Sequence, residues 1–352
     1  MPMHFARLLF LACAACAAAA PAPLPGSAGA LHAGPTWQEL ASPTAASLRG
    51  LAVVDRDVVW VSGTGGALWR TLDGGRSWQA VAPPDTAACD FRDLHAASAD
   101  VALALVAGQP ARLYRTTDGG RTWAVVFADP APEAFLDGIA VHGAHGVLFG
   151  DPHDGAFVVA TSADGGATWQ TEPRERLPAP LAGEAGFAAS GTLVDVGADG
   201  TLRIATGGGA ARLLRRTADG VWTASPLPLR QGAASQGAFG LAFADDRRGV
   251  AVGGDYAAAV DGIGTSTWTD DGGSTWHAGG TAGGYRSGVV WLGGERFLAV
   301  GEAGASISAD AGRSWRPFGA FGFHAVACGR DGTVVACGSG GRIARLVDGG
   351  TP

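Results

Sequence analysis

The sequence predicts an all-β fold, a seven-bladed β-propeller, and three observations carry that reading. They are an eight-residue phrase written six times, the spacing of its tryptophans, and two half-phrases at opposite ends of the chain. The phrase is Ser/Thr-x-Asp-x-Gly-x-Ser/Thr-Trp, an Asp-box. Its acids and tryptophans are Asp73 and Trp78, Asp118 and Trp123, Asp164 and Trp169, Asp271 and Trp276, and Asp310 and Trp315, with a shortened copy at Asp219 and Trp222. In a tight hairpin of this composition the carboxylate accepts backbone N–H groups, the glycine takes positive φ, and the tryptophan starts the next strand and packs beneath the loop. Such residues hold a fold together, and the boxes are read as structural.

The tryptophans recur every 39 to 54 residues, the length of one four-stranded blade. Between boxes run short apolar segments, as in Leu94–Ala97, Val101–Ala107, Arg112–Thr116 and Trp123–Phe127, which supply four strands. At the C-terminus Gly341–Gly350 reads as the first half of a further box, and Thr36–Leu40 as its missing second half. Joined, they make a seventh blade that closes the ring and removes exposed sheet edges. Residues 31–352 are therefore one domain, despite a length that a naive division would split.

Fifty-seven glycines and 19 prolines supply turns, 47% apolar residues supply a core, and no segment reads as a long amphipathic helix. The net charge is −7, and every cation except histidine is arginine, because the chain has no lysine. Those arginines form no basic run, which argues against a nucleic-acid partner. Residues 1–30 read as a secretory signal: Arg7, then an apolar stretch of about a dozen residues, too short to span a bilayer. Cleavage fits after Ala28-Gly29-Ala30 or after Ala18-Ala19-Ala20. A lipoprotein reading at Cys13 or Cys16 lacks the usual leucine three places earlier, so an exported, periplasmic or secreted protein with no integral span is expected. Cys89, Cys328 and Cys337 follow. A two-residue turn at Asp331-Gly332 would set Cys328 opposite Val335 and Cys337 opposite Val326. They would then be diagonal neighbours on one face, at about 7–8 Å between Cα atoms, too far for an unstrained bridge, so free thiols are expected. No cysteine or histidine spacing suggests a metal, and no cofactor is expected; the glycine-rich Thr206–Gly209 lacks the helix a dinucleotide needs.

Beyond the boxes, the chain carries Phe91-Arg92-Asp93-Leu94-His95, Ala107-Gly108-Gln109-Pro110-Ala111-Arg112, Phe135-Leu136-Asp137-Gly138, Gly183-Glu184-Ala185-Gly186-Phe187, Gly253-Gly254-Asp255-Tyr256, Gly284-Tyr285-Arg286-Ser287 and Gly322-Phe323-His324-Ala325. With the boxes, these phrases resemble the photosystem II stability/assembly factor-like family of seven-bladed propellers, over about residues 35 to 348. The resemblance implies an exported, non-catalytic scaffold that binds protein partners, a membrane complex among them.

Aligning the starts of the innermost strands places Arg49, Arg92, Asp137, Glu184, Arg286 and His324 around one mouth of the central channel, rimmed by the loops at Gly150–Asp154 and at Asp255 and Tyr256. Tyr285 joins this set. The arginines could take an anionic group or pair with the neighbouring acids. A sialidase-like glycoside hydrolase is the alternative, since three arginines grip the substrate carboxylate in that fold-mate, with Tyr256 or Tyr285 as nucleophile. Its Phe/Tyr-Arg-Ile/Val-Pro phrase is missing: Phe91-Arg92 precedes Asp-Leu, and Tyr285-Arg286 precedes Ser-Gly. No catalytic residue is therefore assigned.

Overall fold

The structure, a computed structural model, describes residues 33–349. The expected leader and its cleavage site, Cys13, Cys16 and the acid of the terminal half-box, Asp348, lie outside the residues whose side chains are described. Seven antiparallel sheets form the ring. Their innermost strands are Leu48–Val53, Phe91–Ala96, Leu136–His142, Val194–Val196, Gln236–Phe243, Gly288–Trp291 and Ala325–Cys328. Helical pieces among the described residues are three short 3-10 turns, and no helix there is long and apolar enough to cross a membrane.

The seventh blade is shared by the two ends of the chain. Ala33–Glu39 lies antiparallel to Ile343–Gly349, with Trp37 opposite Leu346 and Glu39 opposite Ala344, outside a hairpin made by Ala325–Cys328 and Val334–Cys337. Trp37 stacks on Phe318 of the sixth blade at 6.0 Å and meets Phe323 at a tilt at 4.8 Å. The N-terminal strand thus fills an interface as well as an edge.

The hydrophobic core is distributed between blades. Ala52, Trp60 and Leu68 of the first blade pack with Phe91, Leu94 and Ala104 of the second, and clusters of the same kind recur around the ring. A blade's second strand touches neighbours on both faces, which is why Ala102–Val106 is buried throughout instead of alternating. Each fully buried large apolar side chain contributes about 1.5–3 kcal/mol.

The boxes clasp each blade to the one before. In the first, Asp73 accepts the Ser77 amide at 2.9 Å and hydroxyl at 2.6 Å, while the Thr71 hydroxyl accepts the Gly75 amide at 2.9 Å. The same bonds recur at Asp118, Asp164, Asp271 and Asp310, and only partly in the shortened copy at Asp219. Trp123 donates its indole N–H to the Val81 carbonyl of the preceding blade at 2.8 Å and meets Trp60 edge-on. Gly120 has φ +82°, and a Cβ there would lie 2.6 Å from Cβ of Val81, so glycine is needed both for the turn and for the close approach.

One expected register is corrected. The turn after Cys328 is longer than two residues, with the Gly329 amide bonded to the Thr333 carbonyl, so Cys328 faces Val334 and Cys337 faces Ala325. The thiols fall on opposite faces of the hairpin, in different interblade cores, and are free, as is Cys89.

Deleting residues 36–41 removes the strand that closes the ring; Tm measured by circular dichroism is expected to fall by at least about 10 °C. A shift of a degree or two would show that the shared blade does not carry stability. Gly120→Ala is expected to cost about 2–3 kcal/mol in denaturant unfolding, through positive φ and overlap with Val81. The box acids also make stability acid-sensitive. The Ser77 hydroxyl on Asp73, the Thr122 amide on Asp118 and the Thr168 hydroxyl on Asp164 hold each carboxyl at about 2, below its ordinary 3.8. A group depressed on folding stabilises fully above its unfolded pKa and loses that contribution as pH falls through the folded one. The Tm gap between wild type and Asp118→Asn should therefore be complete at pH 5 and close towards pH 2. Asp93, raised by burial to about 7, acts oppositely, stabilising below 3.8 and losing this as pH rises through 7, but is common to both proteins.

Candidate functional site

Short polar side chains link the inner strands from blade to blade. The Ser62 hydroxyl donates to the Phe91 carbonyl at 3.2 Å, and Asp93 accepts the Ile139 amide at 2.7 Å. Asp151 accepts the Gly186 amide at 2.8 Å, and the Ser190 hydroxyl donates to the Ser287 carbonyl at 2.6 Å. The Ser287 hydroxyl donates to the His324 carbonyl at 2.6 Å, and His324 Nδ1 lies 3.1 Å from the Leu48 carbonyl; the fifth blade joins through its backbone, the Leu241 amide donating to the Thr192 carbonyl at 2.7 Å. This ring fixes the channel mouth.

At the mouth lies a cavity of about 270 Å³ lined by Arg49, Arg92, Phe187, Ala188, Ala189, Phe239, Tyr256, Tyr285 and Glu302. One wall is cationic. Arg92 donates to Asp90 at 2.6 Å and to the Ala188 carbonyl at 3.2 Å; Arg49 reaches the Ala189 carbonyl at 3.5 Å and makes no ion pair among the described residues. Burial, followed by the neighbouring Arg92, lowers the pKa of Arg49. The opposite wall is aromatic: Phe187 and Phe239 stack at 3.8 Å, Tyr285 meets Phe239 edge-on at 4.8 Å, and half-exposed Tyr256 closes the rim.

Four of the nine residues expected at the mouth, Arg49, Arg92, Tyr256 and Tyr285, line this cavity. The other five have different surroundings. Asp137 is fully buried, its oxygens lack partners, and burial, followed by nearby Asp151, raises its pKa well above the usual range. Glu184 does not begin an innermost strand. It sits in the two-residue strand Glu184–Ala185, which pairs with Gly207-Gly208, and its carboxylate binds Arg212 at 2.5 Å and the Thr206 hydroxyl at 2.6 Å. The fourth blade's inner strand starts ten residues later, after an irregular segment that supplies Phe187, Ala188 and Ala189 to the cavity. Arg286, aligned in sequence with Arg49 and Arg92, turns into the blade wall. It donates to the Tyr285 carbonyl and the Ser306 hydroxyl, and burial lowers its pKa to about 10. His324 is buried between Leu48 and Ser339, and burial depresses its pKa. Asp255 caps the turn after its strand by accepting the Ala257 amide at 2.9 Å and the Gln236 side-chain amide at 3.0 Å.

Sequence reasoning missed the aromatic wall and Glu302, because Phe187 comes from an irregular segment and Glu302 from a turn after its strand, outside the repeating strand starts. The sialidase grip is not assembled, since Arg286 is turned away from Arg49 and Arg92. Burial raises the Tyr285 phenol instead of activating it.

Comparison with known proteins places the chain. A search of curated proteins finds no match. Among solved structures, one described as YCF48 bound to D1 peptide matches with TM-score 0.63 and 17% identity, covering 90% of this chain and 97% of the other. YCF48 from Cyanidioschyzon merolae matches with TM-score 0.59 and 16% identity, over 88% and 98%. A streptogramin B lyase matches with TM-score 0.58 and 14% identity, over 89% and 98%, so the shape alone accommodates different activities. The family model of the photosynthesis system II assembly factor YCF48 matches residues 30–224, more than half of the sequence, and the chain belongs to that family.

Proposed function

We propose that the protein is an exported, non-catalytic scaffold that takes an extended peptide segment of a protein partner at the channel mouth. The arginine pair receives a carboxylate of the segment, and the aromatic wall receives a neighbouring apolar side chain. The observation that carries this reading is the pairing of Arg49, a desolvated cation without an ion pair, with the stack of Phe187 and Phe239 across one cavity. A half-cationic, half-aromatic pocket offers charge complementarity and large contact area together, the two features on which peptide recognition draws. Family membership and a fold-mate bound to a D1 peptide support a protein as the ligand. A membrane complex is the proposed source of that segment, and the apolar leader expected in residues 1–30 supports an extracytoplasmic site of action.

The test is fluorescence polarisation with a library of labelled peptides, each with a free or amidated C-terminus. Arg92→Glu is expected to weaken capture of carboxylate-bearing peptides by at least about tenfold, because a like-charge contact replaces an attraction. Unchanged affinity in a folded Arg92→Glu variant would remove the cavity from the binding surface. Turnover of an aryl sialoside that Tyr285→Phe or Tyr256→Phe abolishes would replace the scaffold reading with an enzyme.

A further inference from the structure

On the third blade, away from the arginine cavity, a histidine is held as metal ligands are held. His153 ends the strand His145–His153, at a two-residue turn through Asp154 (φ +51°) and Gly155 (φ +81°). Its side chain is nine-tenths buried, and Nε2 lies 2.9 Å from a carboxylate oxygen of Asp129, at the end of the second blade's outer strand. An ionised carboxylate only accepts, so Nε2 carries a proton, and in the neutral imidazole a metal ion needs, Nδ1 is the nitrogen with the lone pair. Nδ1 is buried, has no hydrogen-bond partner, and lies 3.6 Å from a carboxylate oxygen of Asp154. Glu133, on the connection from the second blade to the third, brings a further carboxylate; the ligand atoms of Glu133, His153 and Asp154 all lie within 4.8 Å of one another.

We propose that Glu133, His153 and Asp154 form a site for a divalent transition-metal ion of the zinc class, with Asp129 as the residue that orients the imidazole. Around a tetrahedral ion with ligand bonds of about 2.0–2.2 Å, ligand atoms stand about 3.4 Å apart, so the triad needs only small shifts of two exposed side chains to close. A carboxylate on the far nitrogen of a ligating histidine fixes its tautomer and raises its basicity. One imidazole with two carboxylates favours zinc over calcium, which takes six to eight oxygens. Three protein ligands leave a fourth position for water. Such an ion would tie the connection between the second and third blades to the third blade's hairpin. Arg174, whose guanidinium lies 3.7 Å from the Asp154 carboxylate, competes with the ion for that oxygen.

The experiment is isothermal titration of the chelator-washed protein with zinc chloride and, separately, calcium chloride, with X-ray absorption at the zinc edge. The expected result is one zinc per chain, a shell of one imidazole nitrogen with oxygens, and no calcium binding. His153→Ala should abolish binding. Glu133→Gln, at an exposed residue that does not threaten folding, and Asp129→Asn should each weaken it about tenfold or more. Arg174→Ala should tighten it. No zinc binding, equal binding of calcium, or the same affinity in Glu133→Gln and His153→Ala with the wild-type unfolding curve retained would overturn the assignment.

Discussion

The constraint on which the rest depends is that the ring must close, and the two ends of the chain meet in one pairing to complete the last blade, Ala33–Glu39 against Ile343–Gly349. A blade's core is shared with its neighbours, so no blade buries its apolar faces alone. Leaving the ring open would expose two blade faces and an unpaired strand edge together. Every other interblade contact assumes that closure. The box tryptophans reach back one blade, the inner-strand hydrogen bonds pass around the channel, and His324 links the last blade to the first through Leu48.

The closed ring explains the charge pattern at the mouth. Burial of Arg49, Arg286 and Asp137 costs solvation, and the cost is tolerable only in a frame that cannot relax around them. The frame resolves each case differently. Asp137 is held with a raised pKa, Arg286 is reduced to two neutral acceptors in the wall, and Arg49 faces the cavity. That last outcome leaves a cation without an ion pair among the described residues beside an aromatic stack in one cavity.

Much of the fold was legible because the signal was local. An Asp-box is eight residues long, and its bonds run between residues two to four apart, from Thr71 to Asp73 and from Asp73 to Ser77. The repeat spacing then gave the blades, and the split box gave the closure. The candidate site was half legible. Arg49, Arg92 and Tyr285, read from the repeating inner strands, and Tyr256, read from a rim loop, line one cavity, whereas Glu184 lies where an extra strand pair, Glu184–Ala185 with Gly207-Gly208, breaks that repeat. The cysteine register failed for a related reason: Asp331-Gly332 is a two-residue turn signal inside a longer loop, and one residue of slip moves a side chain to the other face.

The sequence by itself determined the architecture, the blade count and the positions that must be glycine, aspartate or tryptophan, because hairpin chemistry and strand periodicity are written in neighbouring residues. Only the tertiary structure decided which of three aligned arginines face the cavity, that Phe187 and Phe239 stack in its wall, and that His153 stands between Asp129 and Asp154. Those outcomes depend on contacts between residues far apart in the chain. The rotamer of Arg286 is settled by the hydroxyl of Ser306, and the free nitrogen of His153 by a carboxylate from another blade.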